Sequence, residues 1–303
     1  MFSFFANIFG YLLDFIYNFV NNYGLAMIIF TLVIKLVMLP LSIKQQKMLK
    51  KSTKLQEKMK ILQFKYKNDP EKLNQEMMNL YKEEKMNPFS GCFSTIVQFI
   101  LLISIFYMVR SPLTYMKKVD TETVNTYVQQ LKDSGKEVSA AYPEIDIIRE
   151  IGFLQEQNPD DSELKNLSFN MNFLGLDLSK IPQQNLGDWT VYIIPALYIL
   201  SSFISIRMTT NMQKKQEEKE SPIIDITENA KKEDKQMVKV EETPAEEEYD
   251  AMAQTNKMMS WMMPIMSVSI SLVAPLGLAL YWLVNNITMI LERLILNKII
   301  KED

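Results

Sequence analysis

The chain has 303 residues, 48% of them hydrophobic, and a formal net charge of −3. It contains no histidine, which excludes Ser-His-Asp and Cys-His catalysis, histidine zinc sites and a histidine pH switch. Its single cysteine, Cys92, excludes an internal disulfide and a multi-cysteine metal site, and the sequence predicts no cofactor. Apolar runs alternate with dense charge, which is typical of a polytopic membrane protein.

Residues 1–22 lack the basic region and the small-residue cleavage site of a typical secretory signal. Their apolar side chains recur at helical spacing, and the polar residues of the other side are Asn7, Asp14, Asn18 and Asn21. This pattern predicts an N-terminal helix that lies in the membrane interface. An extension of the first membrane span fits the same pattern, so both interpretations stay open.

Five apolar segments predict transmembrane helices, and they cover residues 23–43, 89–110, 189–208, 258–273 and 276–296. The last two form a tight hairpin over 258–296. The segment 44–88 carries twelve lysines against six acidic residues, whereas residues 1–34 carry no basic residue. The positive-inside rule therefore places the N-terminus outside the cell and the segment 44–88 in the cytoplasm. With five spans, the loop 111–188 lies outside and the tail 297–303 lies in the cytoplasm.

The basic segment 44–88 predicts an antiparallel helical hairpin. In its first half, apolar residues and Ser52 follow alternating spacings of four and three and form a narrow stripe from Met48 to Tyr66. Asp69 and Pro70 then have the residue types of an N-cap and a first helical position, which predicts a second helix. Two functions fit this hairpin. One is a platform that meets a nascent chain, a ribosome or another membrane component, and the other is a solvated connection whose lysines contact lipid headgroups. The two are compatible.

Two long hydrophilic segments separate the remaining spans. The external loop 111–188 contains two amphipathic stretches, at about 120–132 and 143–156, and nothing that predicts a large β-domain. The segment 209–257 is charged, poor in aromatic residues and punctuated by prolines, which predicts a mostly disordered acidic cytoplasmic linker. The expected fold class is all-α: a polytopic membrane bundle of five transmembrane helices with a cytoplasmic helical hairpin.

Lys35 is the one charged residue in the middle of the first apolar run. At about 1.5 Å of rise per residue it lies roughly 13 Å deeper than Lys44, near the middle of the bilayer. An ammonium group at that depth costs a few kcal/mol or more unless it faces water or a partner. The sequence therefore favours a lysine that lines a hydrated cavity, with a snorkelling lysine on a tilted helix as the alternative.

Five segments resemble the YidC family of membrane protein insertases, and they occur in the family's order. They are NYGLAMIIFTLVIKLVMLPLSIKQQKM, NPFSGCFSTIVQFILLISIFYMV, NFLGLDLSKIP, YIIPALYILSSFISIRM and MMPIMSVSISLVAPLGLALYWLVNNI. The five-span form without a large external domain is similar to the Gram-positive type. Lys35 stands where the family usually has arginine, Ser205 where it often has glutamine, and Trp282 matches a family groove tryptophan.

The resemblance implies a membrane insertase and chaperone of the bacterial plasma membrane, not an enzyme. Short hydrophilic client segments would pass through a hydrophilic groove within the bundle, and apolar segments would enter the lipid, without nucleotide hydrolysis. The implied partners are nascent membrane proteins and lipids, with the Sec channel and the ribosome as further candidates, and no sequence-specific nucleic acid. The residues expected to line the groove are Lys35, Gln98, Ser201, Ser205, Trp282, Asn285 and Thr288.

Two other functions stay open. A small solute or ion transporter would also place a charge at mid-membrane, although the five unlike spans show no inverted repeat. A non-catalytic membrane scaffold would tolerate the loss of Lys35. An intramembrane protease is set aside, because the spans contain neither a histidine–serine pair nor paired aspartates.

Overall fold

A computed structural model describes residues 2–66, 69–84, 90–219 and 269–299. The described part is helical apart from one small hairpin and the connecting turns. The longer helices are α1 (Phe2–Val20), α2 (Tyr23–Lys65), α3 (Pro70–Glu83), α4 (Ser90–Arg110), α10 (Ile193–Lys219) and α11 (Leu276–Ile299). Between α4 and α10 lie α5 (Pro112–Tyr115), α6 (Thr121–Asp133), α7 (Pro143–Arg149), α8 (Ile151–Gln157), α9 (Ser162–Asn166), and strands β1 (Asn172–Phe173) and β2 (Leu176–Asp177). Two 3₁₀ turns, Pro182–Gln184 and Trp189–Tyr192, precede α10.

The prediction of a polytopic helical membrane protein is confirmed. Four segments of the described residues are long and apolar enough to cross a membrane: Phe2–Val20, Tyr23–Met48, Trp189–Met208 and Leu276–Ile299. Three of them coincide with predicted spans. The fourth is α1, so its placement in the interface stays a prediction. The predicted second span corresponds to α4, of which Ile96–Arg110 is a shorter apolar helix.

Two predicted boundaries differ from the observed helices. The helix that begins the predicted first span does not end at residue 43 but continues through Pro40 to Lys65, so one helix joins the span to the basic hairpin. Likewise α10 extends to Lys219, which makes the first residues of the predicted linker 209–257 helical. The sequence there is rich in lysine, glutamate and glutamine, which are good helix formers. The rest of that linker, and the predicted fourth span up to residue 268, lie outside the described residues.

The chain divides into two compact units. The second unit, made of 40–94, 203–265 and 296–303, contains the predicted hairpin. Asp69 caps α3 as expected, because its side chain accepts a hydrogen bond from the Lys72 amide at 3.0 Å. Lys58 of α2 forms an ion pair with Glu84 at the end of α3. The Tyr81 hydroxyl also donates to the Met59 sulfur, so the two helices pack as an antiparallel pair.

The first unit comprises 1–39, 95–202 and 266–295, and α1 packs in it against α5. One face of α1 is buried, while a second face exposes the apolar stripe Phe4, Ile8, Tyr11, Phe15 and Phe19. Its polar residues contact the segment after α5. The Lys117 ammonium lies 2.7 Å from Asp14 Oδ1, and Lys118 donates to Asn7 Oδ1 at 2.9 Å.

The loop 111–188 folds into a set of short helices, of which α6 to α9 pack in chain order and α5 packs against α7. Glu144 is buried, and its carboxylate accepts hydrogen bonds from the Thr114 amide at 3.0 Å and hydroxyl at 2.7 Å. Burial nevertheless raises the pKa of Glu144, because the charged form loses hydration. Lys180 pairs with Asp188 at 2.8 Å and, with hydrogen bonds from Thr190, lowers the pKa of Asp188 to about 2.

Candidate functional site: polar groups on the membrane helices

The residues that flank the β1–β2 hairpin fix one end of both α2 and α11. The Tyr23 amide, at the start of α2, donates to the Asn170 carbonyl at 3.0 Å. The Gly277 amide, at the start of α11, donates to the Leu178 carbonyl at 2.9 Å, and the Leu178 amide donates to the Met171 carbonyl. First-turn amides lack partners within their own helix, so these bonds satisfy donors that would otherwise be unpaired. The two helices therefore start at nearly the same level.

Lys35 lies twelve residues beyond Tyr23, or about 18 Å along the axis of α2. Its side chain is partly buried and forms no direct hydrogen bond or ion pair with any residue that the structure describes. Glu292 and Arg293 of α11 act on it electrostatically. Glu292 lies fifteen residues beyond Gly277, or about 22 Å along its own helix, so the two charges are at similar depths.

A second polar group joins α10 to α11. The Asn286 side-chain amide donates to the Ser201 hydroxyl at 3.0 Å and to the Ser202 hydroxyl at 3.1 Å. Ser201 in turn donates to the Tyr198 carbonyl at 2.8 Å, and all three polar side chains are buried. Such bonds between membrane helices are worth about 0.6 to 2 kcal/mol each. They fix the rotation of α10 against α11.

The structure brings only part of the predicted groove set together. Ser201 belongs to the Asn286 group, whereas Lys35 is hydrogen-bonded to none of the other predicted residues in the described part of the chain. Ser205, which belongs to the second unit, is buried one turn beyond Ser201 on α10. Gln98 has an exposed side chain on α4.

The remaining predicted residues lie along one face of α11. Trp282, Asn285 and Thr288 follow at spacings of three, and Glu292 continues the same face. All four are partly buried. The Trp282 ring lies 6.1 Å from the Tyr198 ring, and the Thr288 hydroxyl is bonded to the Val284 carbonyl of its own helix. This face presents an aromatic ring, a carboxamide and a carboxylate over about three turns.

Three polar residues of α11 were missed by the sequence analysis: Asn286, Glu292 and Arg293. The two charges are visible in the sequence, since both lie inside the predicted span 276–296. Asn286 is adjacent to the predicted Asn285, but neighbouring residues of a helix point about 100° apart. Among the described residues no cluster of histidine, cysteine, aspartate or glutamate side chains is able to hold a metal ion.

Comparison with known proteins places these features in a family. The family model described as the 60Kd inner membrane protein matches residues 15–303. The chain belongs to this family. Its relatives include the membrane protein insertase YidC of Caldanaerobacter subterraneus subsp. tengcongensis, which is 45% identical over 102 residues, or 34% of this chain and 50% of that protein.

Two further relatives carry the same name. The protein of Chlorobaculum parvum is 49% identical over 94 residues, or 31% of this chain and 16% of that protein. The protein of Francisella tularensis subsp. novicida is 43% identical over 108 residues, or 36% of this chain and 20% of that protein. The matched segments thus span half or less of each relative. The resemblance to the YidC family is confirmed.

Proposed function

We propose that the protein is a membrane protein insertase of the bacterial plasma membrane. It moves short hydrophilic segments of client proteins across the membrane and releases their apolar segments into lipid. The observation that carries this proposal is Lys35, a partly buried cation deep in an apolar membrane helix, with Glu292 and Arg293 within electrostatic range. An ionisable residue in such a position usually marks a path for a polar substrate. Membership of the family and the relatives named membrane protein insertase support the same function.

The mechanism follows from the cost of moving polar groups into hydrocarbon. A charged client segment meets a barrier of about 2.5 to 3.5 kcal/mol per charge at the centre of a bilayer. Polar side chains and water along the helices shorten the distance that a client segment crosses in hydrocarbon, and the charge of Lys35 attracts acidic segments. The apolar part of the client then partitions sideways into lipid. No covalent bond changes in these steps, so they need no catalytic residue. Partitioning of the client's apolar segment into lipid is the proposed driving force in place of nucleotide hydrolysis.

Purified protein in liposomes tests the proposal. A client with one apolar segment and a short acidic tail should insert, so that its tail is protected from added protease, whereas protein-free liposomes should protect none. The Sec channel and the ribosome are absent, so insertion would also show that neither is obligatory. Absence of insertion, or release of a trapped small solute without any client, would contradict the insertase and favour the scaffold or the transporter respectively.

The proposed orientation has the N-terminus outside and the hairpin 44–88 and the C-terminus in the cytoplasm. A cysteine introduced at Lys132, which is exposed on α6, should react with an impermeant thiol reagent in intact cells. A cysteine at Lys58, which is exposed on α2, should react only after the cells are opened. Both are made with Cys92 replaced by serine, and the reverse labelling pattern would overturn the proposed orientation.

A further inference from the structure

Glu292 is an acidic residue inside the apolar segment Leu276–Ile299. Its Oε1 is inaccessible to solvent and accepts no hydrogen bond from the residues that the structure describes. A carboxylate in a membrane helix is costly unless a cation or water compensates it. Lys35 supplies such a cation, because the two side chains interact electrostatically without forming a direct ion pair.

The geometry of the two helices brings these charges to similar depths. Both α2 and α11 start at residues that flank the same β-hairpin, through the bonds of Tyr23 and Gly277 described above. Glu292 lies about 4 Å further from that hairpin than Lys35, given a rise of about 1.5 Å per residue. In the proposed orientation the hairpin is outside, so Glu292 lies on the cytoplasmic side of Lys35. A client segment that enters from the cytoplasm passes the carboxylate before it reaches the lysine.

We propose that Glu292 is a specificity-determining residue, which offsets the charge of Lys35 and limits how strongly acidic client segments are drawn into the membrane. This inference rests on the insertase function proposed above. With Arg293, the three side chains sum to one positive charge, and without the carboxylate they would sum to two. An acidic segment is thus attracted by Lys35 but repelled by Glu292, whereas a neutral segment has no net charge for either residue to act on.

The effect of Glu292 on the electrostatic potential at position 35 is tested without any client. A cysteine at position 35, with Cys92 replaced by serine, is treated in proteoliposomes with a cationic and an anionic methanethiosulfonate of similar size. The ratio of the cationic to the anionic reaction rate should fall about fivefold or more on Glu292→Gln, because Glu292 acts electrostatically on this position and a carboxylate raises the local concentration of cations over anions. Glu292→Asp keeps the charge and should preserve the ratio. Glu137→Gln removes the same charge from an exposed position of the external loop and should leave the ratio unchanged.

Two results of the labelling would overturn the inference. An unchanged ratio in Glu292→Gln would show that the carboxylate does not act at position 35. Failure of the cysteine to react with either reagent would show that hydrophilic segments do not reach that depth. Both results are independent of insertion activity.

The specificity is tested with clients that differ only in tail charge. Glu292→Gln should raise the insertion rate of the acidic-tailed client relative to the neutral-tailed client about threefold or more, while Glu292→Asp keeps the original ratio. If the unmodified protein inserts clients but Glu292→Gln leaves this ratio unchanged, the inference fails and the insertase stands. If the unmodified protein inserts no client at all, the proposed function fails, and the labelling ratio still decides whether Glu292 shapes the potential at position 35.

Discussion

Replacing Lys35 with leucine should abolish most insertion of clients with acidic tails while leaving the protein folded. Two unit charges about 6 Å apart interact by about 2 to 3 kcal/mol at an effective dielectric constant of about 20. Loss of that attraction corresponds to a fall of about thirtyfold to a hundredfold in rate. Clients with neutral tails should be affected least. The measurement is complementation of an insertase-depleted strain, together with insertion of a client series that differs only in tail charge.

Matched variants separate the charge of Lys35 from its side-chain volume. Lys35→Arg keeps the charge and should retain activity, whereas Lys35→Glu should be worse than Lys35→Leu for acidic clients. Because Lys35→Leu removes the cation that acts on Glu292, the double variant Lys35→Leu with Glu292→Gln is the control for protein level. It should fold at least as well as the parent, since both membrane charges are gone. Full activity of Lys35→Leu towards acidic clients would contradict a role for the Lys35 charge and would support a snorkelling lysine.

The elements that sequence reasoning placed correctly are those with local signals. Asp69, Pro70 and Glu71 together carry a cap, a first-turn proline and an acidic first turn, and α3 begins at Pro70. The apolar stripe around Met59 similarly predicts the face of α2 that packs against Tyr81. Such signals depend on residues a few positions apart, so a single sequence contains all the information they need.

The hydrogen bonds that position the polar residues of the membrane helices have no local sequence signal. The bonds of the Tyr23 and Gly277 amides reach carbonyl groups far away in the sequence, and backbone groups are the same for every residue type. Asn285 and Asn286 are equally polar, and only the position of α10 determines that Asn286 meets Ser201 and Ser202. The sequence alone therefore does not reveal which of two adjacent polar residues contacts another helix. The position of that other helix is needed.

Glu292 was missed for a different reason. The sequence of the first span alone shows Lys35 as an isolated charge. The structure places an opposite charge on a helix more than 250 residues later in the chain. Pairing of charges between membrane helices is the rule rather than the exception, so charged residues of all predicted spans should be considered together.

Gly10→Ala should destabilise the protein more than alanine at any other glycine whose surroundings the structure describes. A Cβ built on Gly10 would lie 2.0 Å from the Tyr115 carbonyl oxygen, so α1 and α5 are in contact through their backbones. A backbone carbonyl cannot rotate away as a side chain does, and overpacking of this kind costs about 1 to 3 kcal/mol or more. We expect the melting temperature of the purified protein in detergent to fall by about 5 °C or more.

Two other glycines provide graded controls for this packing argument. A Cβ on Gly24 would meet the Phe173 ring at 2.4 Å, but the ring is a side chain that is able to shift, so Gly24→Ala should cost less than Gly10→Ala. A Cβ on Gly152 in α8 has nothing within 4 Å, and alanine favours a helix over glycine by up to about 1 kcal/mol. Gly152→Ala should therefore be neutral or stabilising. Equal melting temperatures for the Gly10 and Gly152 variants would contradict the close contact between α1 and α5 at Gly10.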